Sequence, residues 1–261
     1  MLRTENLSFS YKTKKGPLPV FQDLNVSFSP GFNVVLGPNG SGKSTLLKSI
    51  FGLLPYEGTV WYQKENVTAM GIDDKTKLMS YLPQMDTSFS VLTVLEMVLL
   101  GRLPELGRKV KDEDLHSVME ILASLNIERL APRRFTELSG GQKKMVLVAQ
   151  ALVRNPKVIL LDEPVNSLDL QKQLELCHLL RCLEEGTSII AVLHDLNLAV
   201  QFAHHIVVLN GKGKLYGAGS PRETVTEKML REVYGVVASV NYDKNGRPAI
   251  SAIRSTRDVV A

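Results

Sequence analysis

The sequence predicts an α/β fold in which a mixed β-sheet is flanked by helices and an all-α subdomain is inserted into the chain. The first observation is a strand pattern at residues 32–36 that leads into a glycine-rich loop and then into a helix near Lys43. The second is a helical pattern over residues 88–155. The third is an alternation of strands and helices that resumes after Pro156.

The first third of the chain is predicted to be rich in strands. Residues 2–9 and 20–28 alternate between apolar and polar side chains, as do strands with one buried face. Residues 32–36 form a short apolar run typical of a strand buried on both faces. A further strand is predicted at residues 58–62. We therefore expect a strand, a glycine loop and a helix in direct succession at the end of the buried run.

The middle of the chain has apolar residues at helical spacing, with acidic starts and Gly or Pro between the segments. The predicted helices are residues 92–100, 112–125 and 142–154. Strands are then predicted at residues 158–161, 188–193 and 206–209. The helices between and after them are predicted at residues 170–183 and 196–202. Asn210-Gly211 lies between strand-like runs and predicts a hairpin turn.

We expect a single domain with three parts. Residues 1–87 and 156–220 form the core, residues 88–155 form the helical insert, and residues 221–261 form a C-terminal appendage. The appendage is predicted to contain a helix and then a strand, at residues 227–234 and 236–242.

Composition excludes several classes of protein. With 44% hydrophobic and 22% charged residues among 261, the chain is typical of globular proteins. The longest apolar segment, residues 91–100, contains Glu96 and is shorter than the ~20 residues that cross a bilayer. The first residues lack the layout of a signal peptide, so we expect a cytoplasmic protein. The net charge of +4 is scattered, and no nucleic-acid partner is expected.

The segment Gly37-Pro-Asn-Gly-Ser-Gly-Lys-Ser-Thr45 fits the pattern GxxxxGK[ST] of phosphate-binding loops. Its glycines let backbone N–H groups approach phosphate oxygens, and the following helix adds its positive N-terminus. Lys43 is expected to reach the β- and γ-phosphates, Ser44 to place its hydroxyl on Mg²⁺, and Thr45 to contact the α-phosphate. The predicted nucleotide contacts in this loop are Gly37, Asn39, Gly40, Ser41, Gly42, Lys43, Ser44 and Thr45.

Two more segments carry polar groups suited to the same chemistry. Asp162 and Glu163 follow the apolar run 158–161, which places them at the carboxyl edge of the sheet, where Asp162 can hold the Mg²⁺ shell. Adjacent acidic residues also occur in surface turns, but an aliphatic strand seldom ends in two idle carboxylates. Leu138-Ser-Gly-Gly-Gln142 precedes a helix, with Ser139 as the expected N-cap and exposed glycine N–H groups as a second anion site.

These three segments, in the chain order 37–45, 138–142 and 158–164, resemble the ATPase subunits of ATP-binding cassette (ABC) transporters, and the resemblance extends from about residue 2 to residue 248. The resemblance implies a P-loop ATPase core with an N-terminal antiparallel β-subdomain, and a helical subdomain at residues 88–155 that carries the family's signature segment. It implies ATP hydrolysis coupled to transport. Mg²⁺ is the implied cofactor, held by Ser44, Gln84 and Asp162.

The resemblance also implies roles for single residues. Glu163 is the general base for the attacking water, and Lys43 is catalytic as well as nucleotide-binding. Gln84, in Tyr81-Leu-Pro-Gln84, matches the Q-loop residue that contacts Mg²⁺ or that water. His194 matches the switch histidine on the γ-phosphate, although a lone His at a strand end is usually a packing residue. Tyr11 is the implied adenine-stacking aromatic, with Phe9 a poorer candidate.

The resemblance implies that two copies of the chain meet head to tail. Ser139, Gly140, Gly141 and Gln142 then contact ATP on the partner, and Asp169 lies in the D-loop, Asn166-Ser-Leu-Asp169, which crosses the interface. The chain departs from the family at Lys143-Lys144-Met145, Gln150 and Asn166. We expect these departures to affect dimer contacts and no catalytic role.

Four segments resemble one branch of the family, the ATPases of importers of iron–siderophore complexes, haem and cobalamin. They are residues 92–104, 194–199, 230–235 and 243–248. Importers of molybdate, tungstate or zinc remain alternatives. The implied partners are two transmembrane permease subunits, docked near residues 84–104, and indirectly an extracytoplasmic binding protein. The expected location is therefore peripheral, on the cytoplasmic face of the cell membrane.

Two other classes of protein remain to be weighed. Soluble ABC ATPases of DNA repair carry a long coiled coil between the two halves of the site, and the interval from Gln84 to Leu138 is too short for one. Translation-type members fuse two cassettes in a chain, and here there is one. A small-molecule kinase would leave residues 138–142 unexplained.

Overall fold

In a computed structural model, the described residues are 1–84, 90–107, 109–183, 186–244 and 246–256. Their strands, in chain order, are β1 (Leu2–Thr13), β2 (Gly16–Leu24), β3 (Ser27–Phe28), β4 (Gly31–Leu36), β5 (Glu57–Tyr62), β6 (Glu65–Asn66), β7 (Met79–Leu82), β8 (Val158–Asp162), β9 (Ser188–Val192), β10 (His205–Leu209), β11 (Leu215–Gly219), β12 (Val236–Tyr242) and β13 (Pro248–Ser255).

The helices, in chain order, are α1 (Lys43–Phe51), α2 (Ile72–Leu78), α3 (Val94–Leu99), α4 (Asp112–Ser124), α5 (Gly140–Leu152), α6 (Leu170–Cys182), α7 (Leu196–Phe202), α8 (Pro221–Thr224) and α9 (Glu227–Met229). A π-helical turn, Leu230–Tyr234, continues α9. Short 3₁₀ turns lie at Val67–Ala69, Leu100–Arg102, Glu128–Leu130 and Phe135–Glu137.

The central sheet has the order β11-β10-β4-β9-β8-β7. Adjacent strands in this sheet are parallel, except for β10 and β11. These two form an antiparallel hairpin across the turn that begins at Asn210. Parallel strands bring their carboxyl ends to one edge. The segments that follow β4, β7, β8 and β9 therefore meet there. This mixed sheet with flanking helices confirms the predicted α/β fold.

Successive side chains of β4 enter different cores, as the two-residue period of a strand requires. Val34 and Leu36 are buried in the core that the helical insert, α6 and α7 share. Val35 is buried on the opposite face, together with α1 and the N-terminal sheet. Both faces of the sheet are thus covered at β4, which explains why its central strands β4, β8 and β9 are mostly apolar.

The N-terminal sheet, β2-β1-β5-β6, is antiparallel, and β3 pairs with the start of β1. The prediction of one strand over residues 20–28 was wrong, because the strand is interrupted at residues 25 and 26, between β2 and β3. At the break, Thr4 accepts the Val26 N–H on its hydroxyl at 3.1 Å and donates that hydroxyl to the carbonyl of Leu24 at 2.9 Å. These bonds replace ladder bonds and let β3 pair with β1 at a shifted register.

The helical insert is built from α3, α4 and α5, close to the predicted positions of its helices. Thr93 and Glu96 form a capping box at the start of α3. The guanidinium of Arg102 meets the carboxylate of Asp114 at 3.1 Å and links the end of α3 to the start of α4. Gln150 Nε2 donates to the Met97 carbonyl at 2.7 Å and ties α5 to α3.

The elements that were not predicted include β6, β7, α2, α8 and β13. The strand β13 pairs with β12 to form the hairpin of the appendage. It also meets α7, where the amide side chain of Asn197 exchanges two hydrogen bonds with the backbone of Ile250, at 3.2 and 2.9 Å. Among the described residues, no helix has the length and apolar character needed to cross a membrane.

Candidate functional site

A cavity of about 950 Å³ opens at the carboxyl edge of the central sheet. Its wall contains both the phosphate loop and residues that follow four other strands, β7, β8, β9 and β10. The lining residues are Tyr11, Leu18, Pro19, Val20, Asn39, Gly40, Ser41, Gly42, Lys43, Ser44, Thr45, Gln84, Glu163, His194, Gly211, Lys212 and Gly213. The structure thus brings most of the predicted nucleotide residues into one cavity.

The phosphate loop connects β4 to α1 and curls around the ammonium group of Lys43. Lys43 Nζ donates hydrogen bonds to the carbonyls of Gly37 at 2.7 Å and Pro38 at 3.0 Å. Gly42 adopts a left-handed φ of 93°, and a Cβ there would lie 2.7 Å from the side chain of Val20. The loop therefore needs glycine at position 42. Since two ammonium protons of Lys43 are donated to carbonyls of the loop, the third stays available for an anion in the cavity.

Burial lowers the pKa of Lys43 from its ordinary value, and the negative charges of Glu163 and Asp162 act in the opposite direction. The side chain is almost fully buried, at 6% exposure. A buried cation at the foot of a polar cavity attracts phosphate strongly, because little water screens the interaction.

Ser44 and Asp162 form a pair beneath the cavity. Ser44 Oγ donates to Oδ1 of Asp162 at 2.8 Å. Asp162 is fully buried, and its Oδ2 atom accepts no hydrogen bond from the described residues. Burial raises the pKa of Asp162, while the hydrogen bond from Ser44 acts in the opposite direction. A buried carboxylate oxygen without a hydrogen-bond partner, next to a hydroxyl, is a donor set that suits a hard divalent cation.

Both carboxylate oxygens of Glu163 are engaged by other side chains. Gln84 Nε2 donates to Oε2 at 2.8 Å, and Asn166 Nδ2 donates to the same oxygen. The ring nitrogen Nε2 of His194 lies 2.6 Å from Oε1. Glu163 is 7% exposed and has a left-handed φ of 54°, which is unusual for a glutamate. The contacts hold this backbone conformation and aim the carboxylate at the cavity.

The sequence analysis did not expect Asn166 to meet Glu163, and the structure brings its side-chain amide into contact with the Glu163 carboxylate. The reason is local geometry. The chain turns at Pro164, and the Asn166 N–H bonds back to the Glu163 carbonyl at 3.4 Å. The sequence does show that the two residues are three positions apart with Pro164 between them, a spacing that fits a turn. It does not show the left-handed backbone of Glu163, on which the contact also depends.

Tyr11 lies in β1 at the rim of the cavity, with 40% of its surface exposed. Its hydroxyl is 3.3 Å from Oγ1 of Thr45. Phe9 is buried and meets the Tyr11 ring edge to face, with ring centroids 4.7 Å apart. Tyr11 is therefore available to a base at this rim and Phe9 is not, while the stacking role stays a prediction.

The predicted signature residues lie away from the wall around Lys43. Ser139 caps α5, because its hydroxyl accepts the Gln142 N–H at 3.3 Å. In the reverse direction, the Ser139 N–H donates to the side-chain oxygen of Gln142 at 3.0 Å. A Cβ on Gly141 would lie 3.3 Å from the Ser167 carbonyl oxygen. Asp169 caps α6. Within the described part of the chain, Ser139, Gly140, Gly141, Gln142 and Asp169 do not line the cavity.

The contact between Tyr234 and Gly37 is a second one that the sequence did not predict. The Tyr234 hydroxyl accepts the N–H of Gly37 at 2.9 Å, from the C-terminal appendage. Gly37 itself lies beneath the cavity wall. No local pattern links two residues so far apart in the sequence, and only the tertiary structure shows the contact.

A model of the ABC transporter family matches residues 21–166 of the chain. The chain is 36% identical to the iron(3+)-hydroxamate import ATP-binding protein FhuC of Bacillus subtilis over 249 residues, 93% of this chain and 90% of that one. It is 35% identical to the ferric enterobactin transport ATP-binding protein FepC of Escherichia coli over 241 residues, 90% and 87% of the two chains.

Two solved structures of ABC transporter proteins superpose on this chain. A structure described as a metal-chelate type ABC transporter, in an inward-facing conformation, superposes with a TM-score of 0.79 at 30% identity, over 97% of this chain and 96% of that chain. The ABC transporter cassette MJ0796, as a dimer in a post-hydrolysis state with ADP and Pi, superposes with a TM-score of 0.76 at 30% identity, over 84% and 98%.

Proposed function

This chain belongs to the ABC transporter family of ATP-binding proteins, and we propose from that premise that it powers the import of an iron–siderophore complex, haem, cobalamin or a related metal chelate. It is an ATPase whose hydrolysis of ATP drives transport, and it acts as a dimer with a membrane permease. The observation that carries the proposed cargo class is the similarity to ATP-binding proteins named for hydroxamate and enterobactin transport over about nine-tenths of the chain.

ATP binding is proposed to begin at the phosphate loop. The backbone N–H groups at the start of α1 and the free proton of Lys43 receive the β- and γ-phosphates, and Thr45 receives the α-phosphate. Tyr11 at the cavity rim stacks on the adenine. The cavity, at about 950 Å³, has room for a whole nucleotide.

Mg²⁺ is the proposed cofactor, and the residues fit it. Asp162 offers an unpaired buried carboxylate oxygen, and Ser44 offers a hydroxyl 2.8 Å from the same carboxylate. Gln84 supplies an amide at the cavity wall. When bound, Mg²⁺ neutralises charge on the phosphate oxygens.

Hydrolysis is proposed to use Glu163 as the general base. A water attacks the γ-phosphorus, the new P–O bond forms, and the bond from phosphorus to the β–γ bridging oxygen breaks. The water's proton passes to the Glu163 carboxylate, which Gln84, Asn166 and His194 hold in place. His194, on the other oxygen of the same carboxylate, is proposed to contact the γ-phosphate.

The dimer is proposed to be head to tail. Ser139 and the glycines after it present N–H groups at the positive end of α5, yet they lie away from the cavity of their own chain. In a dimer related by a two-fold axis, the start of α5 in one copy lies over the ATP bound to the other copy. Asp169 then lies where the chain crosses the interface. Two ATP molecules are thereby enclosed between two copies.

The permease is proposed to dock in a groove of about 530 Å³ between the core and the helical insert. Gln84 lines this groove as well as the nucleotide cavity, so a movement of Gln84 reaches both. Leu103, which is 59% exposed, and Pro104 form part of the opposite wall. Of the predicted surface at residues 84–104, residues 85–89 lie outside the described residues. Two permease subunits, a peripheral position on the cytoplasmic face and an extracytoplasmic binding protein complete the proposal.

Uptake in cells tests the cargo class. The chromosomal gene is deleted and complemented with the wild type or with Glu163→Gln, and uptake of labelled ferric hydroxamate, haem and cobalamin is measured. We expect one of the three to be lost on deletion and restored by the wild type alone. Unchanged uptake of all three, with ATPase activity shown in the purified protein, would contradict the cargo class and turn attention to molybdate, tungstate and zinc.

A further inference from the structure

The C-terminal appendage reaches the phosphate loop through one hydroxyl group. The N–H of Gly37 donates to Oη of Tyr234 at 2.9 Å, across 197 positions of sequence. Tyr234 is the last residue of the turn Leu230–Tyr234, which ends at Gly235 in the left-handed conformation. Gly37 is the first residue of the loop that surrounds Lys43, so this hydroxyl acts directly on the loop's backbone.

Gly37 is held on both of its polar groups by side chains. Its N–H is bonded to Tyr234, and its carbonyl accepts from Lys43 Nζ at 2.7 Å. The backbone is also closely packed, because a Cβ at Gly37 would lie 2.7 Å from Ser41 Oγ and closer still to the carbonyl oxygen of Leu209. The orientation of Gly37 therefore decides where the ammonium group of Lys43 is held.

Tyr234 is suited to be a permanent acceptor. Burial raises its pKa to about 12, with the hydrogen bond from Gly37 acting in the opposite direction. The phenol is thus neutral throughout the physiological pH range.

The turn that carries Tyr234 is anchored on both sides. Tyr216 of β11 donates its hydroxyl to Glu232 at 2.7 Å. After the turn, Thr256 donates its N–H to the carbonyl of Gly235 at 2.8 Å. The bond from Tyr216 lies on the exposed surface, and its loss leaves the backbone bond at Gly235, next to Tyr234, in place.

We propose that Tyr234 is a positioning residue for ATP binding, whose hydroxyl orients Gly37 and, through the Gly37 carbonyl, Lys43. This inference rests on the proposed binding of ATP at Lys43. A buried N–H that loses its acceptor is unfavourable, so removal of the hydroxyl lets the start of the loop reorient. The appendage is in this sense part of the nucleotide site.

The test compares two substitutions that each remove one hydroxyl from the same region. Tyr234→Phe removes the acceptor of the Gly37 N–H and keeps the ring, while Tyr216→Phe removes the bond to Glu232 and leaves Gly37 untouched. We expect Tyr234→Phe to raise the dissociation constant and the KM for ATP by roughly threefold to tenfold, the range one neutral hydrogen bond supports. Its kcat at saturating ATP and the affinity of Tyr216→Phe should stay within twofold of wild type.

Hydrogen exchange followed by mass spectrometry supplies the readout that general loosening of the appendage would not give. A peptide over residues 32–42 should exchange faster in Tyr234→Phe and unchanged in Tyr216→Phe. Equal effects of the two substitutions, or none from Tyr234→Phe, would overturn the inference. A third variant, Lys43→Ala, separates the two proposals. Wild-type ATP affinity in Lys43→Ala would sink the proposed site itself, whereas loss there beside wild-type behaviour of Tyr234→Phe would sink only the role of Tyr234.

The wild-type protein offers a measurement that needs no folded variant. In ¹⁵N-labelled protein without nucleotide, the amide of Gly37 should be protected from exchange, as expected for an N–H with a buried acceptor. Unprotected exchange at that amide would overturn the inference.

Discussion

Nε2 of His194 lies 2.6 Å from Oε1 of Glu163, while Gln84 and Asn166 donate to the other oxygen of the same carboxylate. The three partners come from three segments, the residues after β9, the residues after β7 and the turn after Pro164. A shift in any of these segments changes where the proposed proton acceptor lies. The carboxylate of Glu163 is thus the point at which the segments that follow β7, β8 and β9 meet.

Glu163→Gln should bind ATP with near wild-type affinity but lose hydrolysis by ~10²–10⁴-fold, the usual contribution of a general base. The amide keeps the size of the side chain and cannot take a proton, while Lys43, Ser44 and Asp162 are unchanged. The variant should accumulate as a dimer with ATP, because hydrolysis is what opens the interface. Phosphate release and size-exclusion chromatography measure these effects, with Glu120→Gln, an exposed glutamate of α4, as the control. Residual turnover near wild type would move the role elsewhere, first to His194.

Asn166→Ala should lower kcat by ~10-fold with ATP affinity within twofold of wild type. The substitution removes one donor to the Glu163 carboxylate and leaves the phosphate loop intact, and hydrogen bonds to charged groups contribute on this scale. Steady-state kinetics and titration with a fluorescent nucleotide measure the two quantities. Asn241→Ala, at an exposed position of β12, is the matched control. A loss of affinity with unchanged kcat would show that Asn166 acts on binding and not on Glu163.

Tyr11→Ala should weaken ATP affinity by roughly 1–3 kcal/mol, the value of one base–aromatic stack, and should change turnover at saturating ATP much less. Tyr11→Phe keeps the ring and removes only the hydroxyl near Thr45, so its affinity should stay close to wild type. Calorimetric titration with ATP distinguishes the cases. Equal losses in both variants would assign the effect to the hydroxyl, and no loss in either would leave Tyr11 as a strand residue only.

Mixing Lys43→Ala with Gly141→Asp should restore ATPase activity that neither variant shows alone. In a mixed head-to-tail dimer, one composite site carries both substitutions and the other carries neither. Activity is measured after co-purification of differently tagged subunits, so that the mixed dimer is demonstrated. Because Gly141 also lies close to the Ser167 carbonyl of its own chain, folding of Gly141→Asp is checked by thermal unfolding. A mixed dimer no more active than its parents would argue against the composite site.

Much of the core could be predicted because its strands leave a clear periodic record. The runs in β4, β8 and β9 are mostly apolar, since both faces of the central sheet are covered. Once those strands are parallel, the residues after them must meet at one edge. That single rule accounts for Lys43, Asp162 and His194 lying together.

Contacts that depend on local backbone geometry or on distant chain segments could not be predicted in the same way. Asn166 reaches Glu163 in a turn where Glu163 has a left-handed φ of 54°, a conformation that a glutamate in the sequence does not indicate. Tyr234 reaches Gly37 only because the appendage folds back onto the end of β4. Likewise β13 is mostly exposed, so it lacks the buried face that makes a strand visible in the sequence.

The place of β4 in the sheet determines when the sheet can form during synthesis of the protein. Its hydrogen-bonding partners are β9 and β10, which begin at Ser188 and His205, so β4 cannot be paired until most of the chain has left the ribosome. Such long-range pairing slows folding. Because the nucleotide cavity needs residues after both β4 and β9, ATP finds no complete site before that moment. A ligand that binds only the finished state stabilises it by mass action, so ATP in the cell favours the last step of folding as well as serving as the fuel.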